Sequence, residues 1–268
     1  MIAAALGALV APAPASAAIA GLEFKEAVST LNKSEGQKTA RAVCTGGKRV
    51  IGTGFRINGA PADVLLSALV PSDTAVEARA SEDVDGTAAN WTVTAIAVCA
   101  NPLSGLEVVH QTLPSNVTGL QRRIETPCPG TKLLIGLGTE VSAGAEGHIA
   151  LNQLIESRGL SAGDGSNIDN FTGPWTLTSY AICANLSFAN ESINARPGLN
   201  DSSSPKSAAA PCTVGIGMSA GWSLSAFGGS LVNSAVPSQT NSTVTGSEDD
   251  DGFDQGWSIG AQIICLVL

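Results

Sequence analysis

The sequence predicts an all-β chain built from three copies of one unit, with pseudo-threefold symmetry and one disulfide per copy. Three observations carry that prediction. Cys44, Cys128 and Cys212 stand at intervals of 84 residues, and Cys99, Cys183 and Cys265 answer them near the end of each unit. Trp91, Trp175 and Trp257 each precede a closing cysteine by eight positions. Between these marks short β-branched runs alternate with Gly, Pro, Ser and Thr, and no amphipathic run at helical spacing extends far.

Taken in order, residues 1–17 read as an export signal: an apolar stretch from Ile2 to Val10, then the small-residue cleavage pattern Ala15-Ser16-Ala17. No basic residue precedes the apolar stretch, so the true start codon is expected upstream of Met1. No later apolar run reaches the length of a membrane span, so the mature chain is expected to be secreted and not membrane-inserted. The three units then occupy 18–104, 105–184 and 185–268. With no Pro/Gly/Ser linker between the first two, they are expected to form one compact body.

Each unit opens on a short apolar phrase, GLEFKEAVSTL from Gly21, GLEVVHQTLPS from Gly105 and NLSFANESIN from Asn185. After the first cysteine comes a strand-like run with a G-x-G, at Gly52 and Gly54, Gly136 and Gly138, and by the same reading Gly215 and Gly217. Glycines at this spacing in a strand point to close backbone approach or a bulge. A phosphate loop is the rival reading, and it is weak, because no helix pattern follows and no Lys-Ser/Thr completes it. A second phrase joins units one and three: VPSDTAVEARASEDVDG from Val70 and VPSQTNSTVTGSEDDDG from Val236. The closing strands read WTVTAIAVCA, WTLTSYAICA and WSIGAQIICL. An even separation puts Trp and Cys on one face of a strand, and a disulfide face is an inside face, so these tryptophans are expected in the core.

The 268 residues are 44% hydrophobic and 14% charged, enough apolar material for a substantial core. The net charge of -9, with no Lys or Arg after Lys206, argues against nucleic acid or anionic membrane as partner. Six cysteines in an exported chain point to disulfides, and the absence of any C-x-x-C or His/Cys cluster argues against zinc. If the units are alike, the pairs are Cys44 with Cys99, Cys128 with Cys183 and Cys212 with Cys265.

This pattern of cysteine, I-G-x-G strand, Asp-rich turn and cysteine-ended strand, in three copies, resembles the vitelline membrane outer layer protein I family. That resemblance implies a β-prism-like assembly, three antiparallel Greek-key sheets around a pseudo-threefold axis. The wording of the repeated segments is also similar to secreted bacterial proteins of unknown function carrying Cys-Pro-x-Gly and Trp-Thr-Leu-Thr-Ala-Tyr-Ala-Ile-Cys-Ala phrases. Three separate sandwiches are the alternative arrangement.

The candidate site is the acidic turn before each tryptophan. Counting back eight and six positions gives Asp83 and Asp85, Asn167 and Asp169, and Asp249 and Asp251. Oxygen donors at alternate positions ahead of a glycine resemble the start of a Ca²⁺ loop, so Asp83, Asp85, Asp249 and Asp251 are the candidate calcium ligands. Asp249, Asp250, Asp251 and Asp254, with Trp222 as a tryptophan unmatched in the other units, are the candidate ligand-binding residues. His110 and His148 are not echoed between units, and without a G-x-S-x-G elbow no catalytic set is expected. Eight N-x-S/T sequons, from Asn32 to Asn241, are read as chance in a Ser/Thr-rich chain. The expected function is therefore that of a secreted, non-catalytic protein binding an extracellular glycan, by analogy with the fold resemblance; the alternative is a structural coat or envelope component with no small-molecule ligand.

Overall fold

The computed structural model describes residues 19–32, 36–115, 120–186, 190–195, 200–226 and 228–267, the stretch 190–195 by its backbone alone. The expected export signal and its cleavage site lie outside the described residues. The described chain forms eighteen strands and no helix. The first unit contributes β1 (Glu23–Val28), β2 (Gln37–Val43), β3 (Arg49–Asn58), β4 (Val64–Pro71), β5 (Ala75–Glu82) and β6 (Thr92–Ala100). The second contributes β7 (Glu107–Leu113), β8 (Gln121–Pro127), β9 (Leu133–Val141), β10 (Ile149–Ser157), β11 (Leu160–Asn167) and β12 (Leu177–Ala184). The third contributes β13 (Asn190–Ala195), β14 (Lys206–Pro211), β15 (Ile216–Leu224), β16 (Ser230–Pro237), β17 (Asn241–Glu248) and β18 (Ile259–Leu266).

These strands make three six-stranded antiparallel sheets, in the orders β1-β6-β3-β16-β17-β14, β2-β5-β4-β9-β12-β7 and β13-β18-β15-β10-β11-β8. Every unit puts its first, sixth and third strands in one sheet and its second, fifth and fourth in another. At the seams β4 pairs with β9, β10 with β15, and β16 with β3, so the exchange runs from unit to unit and back to the first. No unit owns a sheet, which rules out three separate sandwiches and accounts for the pseudo-threefold repetition.

Residue choice follows strand position. QKTARAV in β2 alternates exposed and buried, as do β8 and the second half of β14, because these are half-wet edge strands. TVTAIAVCA in β6 is buried at every residue, and so is β18, which explains sequences that are apolar or small without alternation. The three disulfides form as the repeat requires, Cys44–Cys99, Cys128–Cys183 and Cys212–Cys265. Each ties the end of a unit's second strand to its sixth strand in a different sheet, clamping the two halves of the unit together. Trp91 and Trp257 are fully buried and Trp175 nearly so, beside closing cysteines that are also buried.

The glycine pairs mark where backbones touch. A methyl group at Gly54 would lie 2.7 Å from Ala235 O, and one at Gly138 2.7 Å from Leu69 O, each on the fourth strand of a neighbouring unit. In the third unit the register corrects the sequence reading: Gly54 pairs with Ile96, Gly138 with Tyr180 and Gly221 with Gln262, so the counterparts of Gly52 and Gly54 are Ser219 and Gly221, not Gly215 and Gly217. Gly221 meets Leu154 O in the same way, at 2.5 Å. Ser219 then joins the units by side chain: its Oγ lies 3.1 Å from Thr53 Oγ1 and accepts from Leu137 N, while Thr53 Oγ1 donates to Leu137 O.

Candidate functional site

The register that places Gly221 also places Trp222. It pairs with Ala261 as Phe55 pairs with Ala95, so it has a counterpart, and the two rings pack edge to face with centroids 5.3 Å apart. Trp222 is fully buried and its Nε1 donates to Leu151 O at 2.9 Å. It is a core residue and offers no platform for a ligand, contrary to its expected role.

The acidic turns do come together, though across units and not one by one. Asp83, Asp249 and Asp250 present carboxylate oxygens within 4.8 Å of one another, and so do Asp85, Asp250 and Asp251. Asp250 is common to both groups and is the donor that alternate-position counting left out of the calcium set. The donors therefore come from the β5–β6 turn of unit one and the β17–β18 turn of unit three, and a self-contained local calcium loop is not what forms. Asp254 is exposed and belongs to neither group. Gly86 and Gly252 take φ of +67° and +79°, a left-handed conformation that closes each turn. Asp83 Oδ1 accepts from Gly86 N at 2.9 Å, and Gly252 N donates to Asp249 O at 2.9 Å, which holds both aspartates at the mouth of their turns.

Unit two contributes differently. Asp83 N donates to Asp63 O, Ile168 N to His148 O and Asp249 N to Gly229 O, so the counterpart of Asp83 and Asp249 is Ile168, and Asn167 corresponds to Glu82 and Glu248. Asn170, at φ +55°, takes the place of Gly86 and Gly252 one residue early, because this turn is one residue shorter. Counting from the tryptophan therefore misassigned Asn167. Asp169 belongs to neither donor group but adds its charge to the surroundings of Asp249, and its Oδ2 faces His148 Nδ1 at 3.5 Å while the imidazole stacks on Phe171 at 4.5 Å. His148 was unreadable as a site residue because its counterparts are Asp63 and Gly229. His110 lies elsewhere, exposed beside Tyr180.

The electrostatics are those of crowded, partly desolvated acids. Burial, then the charges of Asp250, Asp63 and Asp85, push Asp83 up to about 7. Burial, then Asp83, Asp250, Asp169 and Asp251, push Asp249 up to about 7. Asp250 and Asp169 are raised as well, each first by burial, with His148 pulling Asp169 back. Asp83 Oδ2 and Asp249 Oδ1 are buried without a hydrogen-bond partner, and Asp169 Oδ2 has only its contact with His148. A depression of about 480 Å³, lined by Glu82 to Ala88, opens beside them. Hard oxygen donors converging in this way have the chemistry of a Ca²⁺ site.

A second constellation, missed in the sequence, sits behind each acidic turn. Lys38 Nζ lies 4.0 Å from the Trp91 ring centre, Arg122 Cζ 4.0 Å from Trp175 and Lys206 Nζ 4.6 Å from Trp257. Each of these cations also donates to the carbonyl of its tryptophan. In units one and three a carboxylate completes the set, with Trp91 Nε1 donating to Glu82 Oε1 at 2.8 Å and Trp257 Nε1 to Glu248 Oε1 at 2.9 Å. The signal was available: Lys38, Arg122 and Lys206 recur at the same 84-residue interval as the opening cysteines.

No protein-family model matches the chain, and no curated protein matches it either.

Proposed function

We propose that this is a non-catalytic extracellular binding protein that holds a divalent cation, Ca²⁺ by the character of its donors, where the acidic turns of units one and three meet, and engages glycan hydroxyls through that cation. One observation carries the reading: Asp83, Asp85, Asp249, Asp250 and Asp251, from turns about two units apart in the chain, converge, with Asp83 Oδ2 and Asp249 Oδ1 buried and unpartnered. Leaving such groups unsatisfied is costly, and a bound cation satisfies them together. Exposed Asp85, Asp250 and Asp251 leave the outer side of the cation open, where a vicinal diol can replace water. Three disulfides are in keeping with an oxidising, extracellular setting.

The test is a glycan array probed in Ca²⁺ and again in EDTA, with wild type and Asp251→Ala. Binding to a defined set of glycans that vanishes in EDTA and in the variant is expected. Silence of wild type in Ca²⁺, or binding indifferent to EDTA, defeats the glycan reading and favours a structural coat component.

A further inference from the structure

We infer that unit two carries a separate anion site, a cavity that takes the carboxylate group of an acidic ligand against Arg122 and Trp175. The protein supplies its own template for that ligand. In units one and three the buried pairing of cation and tryptophan is completed by Glu82 or Glu248, whose carboxylate accepts from the indole N–H. In unit two the corresponding residue is Asn167, and its side chain is committed elsewhere: Nδ2 donates to Phe171 O at 2.6 Å, and Oδ1 accepts from Phe171 N at 2.9 Å and from Asp169 N. The cation is retained while its carboxylate is gone.

What remains is a set of donors without acceptors. Arg122 is 5% exposed, and its guanidinium donates one hydrogen bond among the described residues, from Nη1 to Trp175 O. Its Nε is buried with no partner. Burial lowers its pKa and no acid opposes that effect, whereas Glu82 does so for Lys38. Trp175 Nε1, unlike the other three indole N–H groups, meets no acceptor among the described residues. A buried guanidinium Nε left this way is rare, because such groups normally find partners.

Beside them opens a cavity of about 580 Å³ lined by Arg122, Trp175, Asn167, Phe171, Thr172 and Ser115 among others. That is room for a monosaccharide acid, with aromatic walls and hydroxyl groups at its edge. Asp169, two residues along from Asn167, turns its carboxylate toward His148. Guanidinium and indole donors side by side suit the two oxygens of a carboxylate, and Glu82 and Glu248 show the indole half of that pairing within the same molecule. The site differs in sign from the acidic cluster and does not depend on a cation being bound there.

The experiment is a titration of the full chain in EDTA with D-glucuronate, propionate and D-glucose, followed by calorimetry and by the indole N–H resonances of the four tryptophans. Glucuronate binding at one site, with one indole resonance moving and glucose silent, is expected. Propionate reports whether the carboxylate alone suffices, and glucuronate binding more tightly marks an acidic sugar as the source. Arg122→Met should weaken glucuronate binding about ten- to a hundredfold, the worth of a charged hydrogen-bond set. Asn167→Glu, which restores the residue of units one and three, should abolish it while the protein keeps its native circular dichroism. No binding by either carboxylate, equal binding of glucose, or affinity unchanged in both folded variants would overturn the proposal. If one variant fails to fold, the other and the wild-type indole shift still decide.

Discussion

Glu82 shows how much rests on one side chain. It is almost fully buried, takes the Trp91 indole N–H at 2.8 Å, and faces the desolvated Lys38 that lies over the same ring. Replacing it by Gln keeps the shape and removes the charge that offsets Lys38. Glu82→Gln should therefore cost about 1–3 kcal/mol in urea unfolding, and Glu248→Gln a smaller amount, since Lys206 has its own ion pair with Asp201 at 2.8 Å. Equal stability of Glu82→Gln and wild type would show that the carboxylate is solvated and not paired. The cations of these three sets could be read from the 84-residue interval, but the acid could not be assigned in unit two. Its turn is a residue shorter, so distance from Trp175 and strand register give different answers, and only the register is physical.

Strands are where the sequence was most legible, because alternation, the Trp-Cys spacing and the G-x-G pairs are direct consequences of pleat and contact. Close approach at Gly54 and Gly138 was readable from the motif, and its location in unit three was not. There the run from Cys212 is one residue short, so the true pair is Ser219 and Gly221 while two other glycines mimic it. The same slip made Trp222 look unmatched, when it occupies the place of Phe55 in the core. Gly138→Ala tests the contact: a methyl 2.7 Å from Leu69 O forces the β4–β9 seam apart, at a cost of about 1–3 kcal/mol in chemical denaturation. Gly144→Ala makes an instructive contrast, since nothing surrounds that methyl and only its φ of +89° opposes the change.

At the scale of the whole molecule, cyclic exchange of strands between units is what turns three repeated turns into one acidic locus. The sequence marked most of the aspartates, and their meeting could not be foreseen because it depends on which unit's fourth strand joins which third strand. Crowding them has a consequence for pH. The carboxyls of Asp83 and Asp249 rise from 3.8 when unperturbed to about 7 in the fold, so the folded state binds more protons than the unfolded chain in that window. Metal-free protein should thus lose stability as pH rises from about 4 to about 7, and Asp249→Asn should raise its melting temperature by about 2–4 °C above that window and have little effect below it. A melting temperature flat across that range in EDTA would mean the acids are not coupled.

Calcium titration of the refolded, metal-free protein by calorimetry above neutral pH tests the cation site most directly. Saturable heat with a rise in melting temperature, both lost in Asp250→Asn because Asp250 belongs to both donor groups, is the predicted result. An absence of heat in wild type, or the same isotherm for the Asp250→Asn protein, would contradict it.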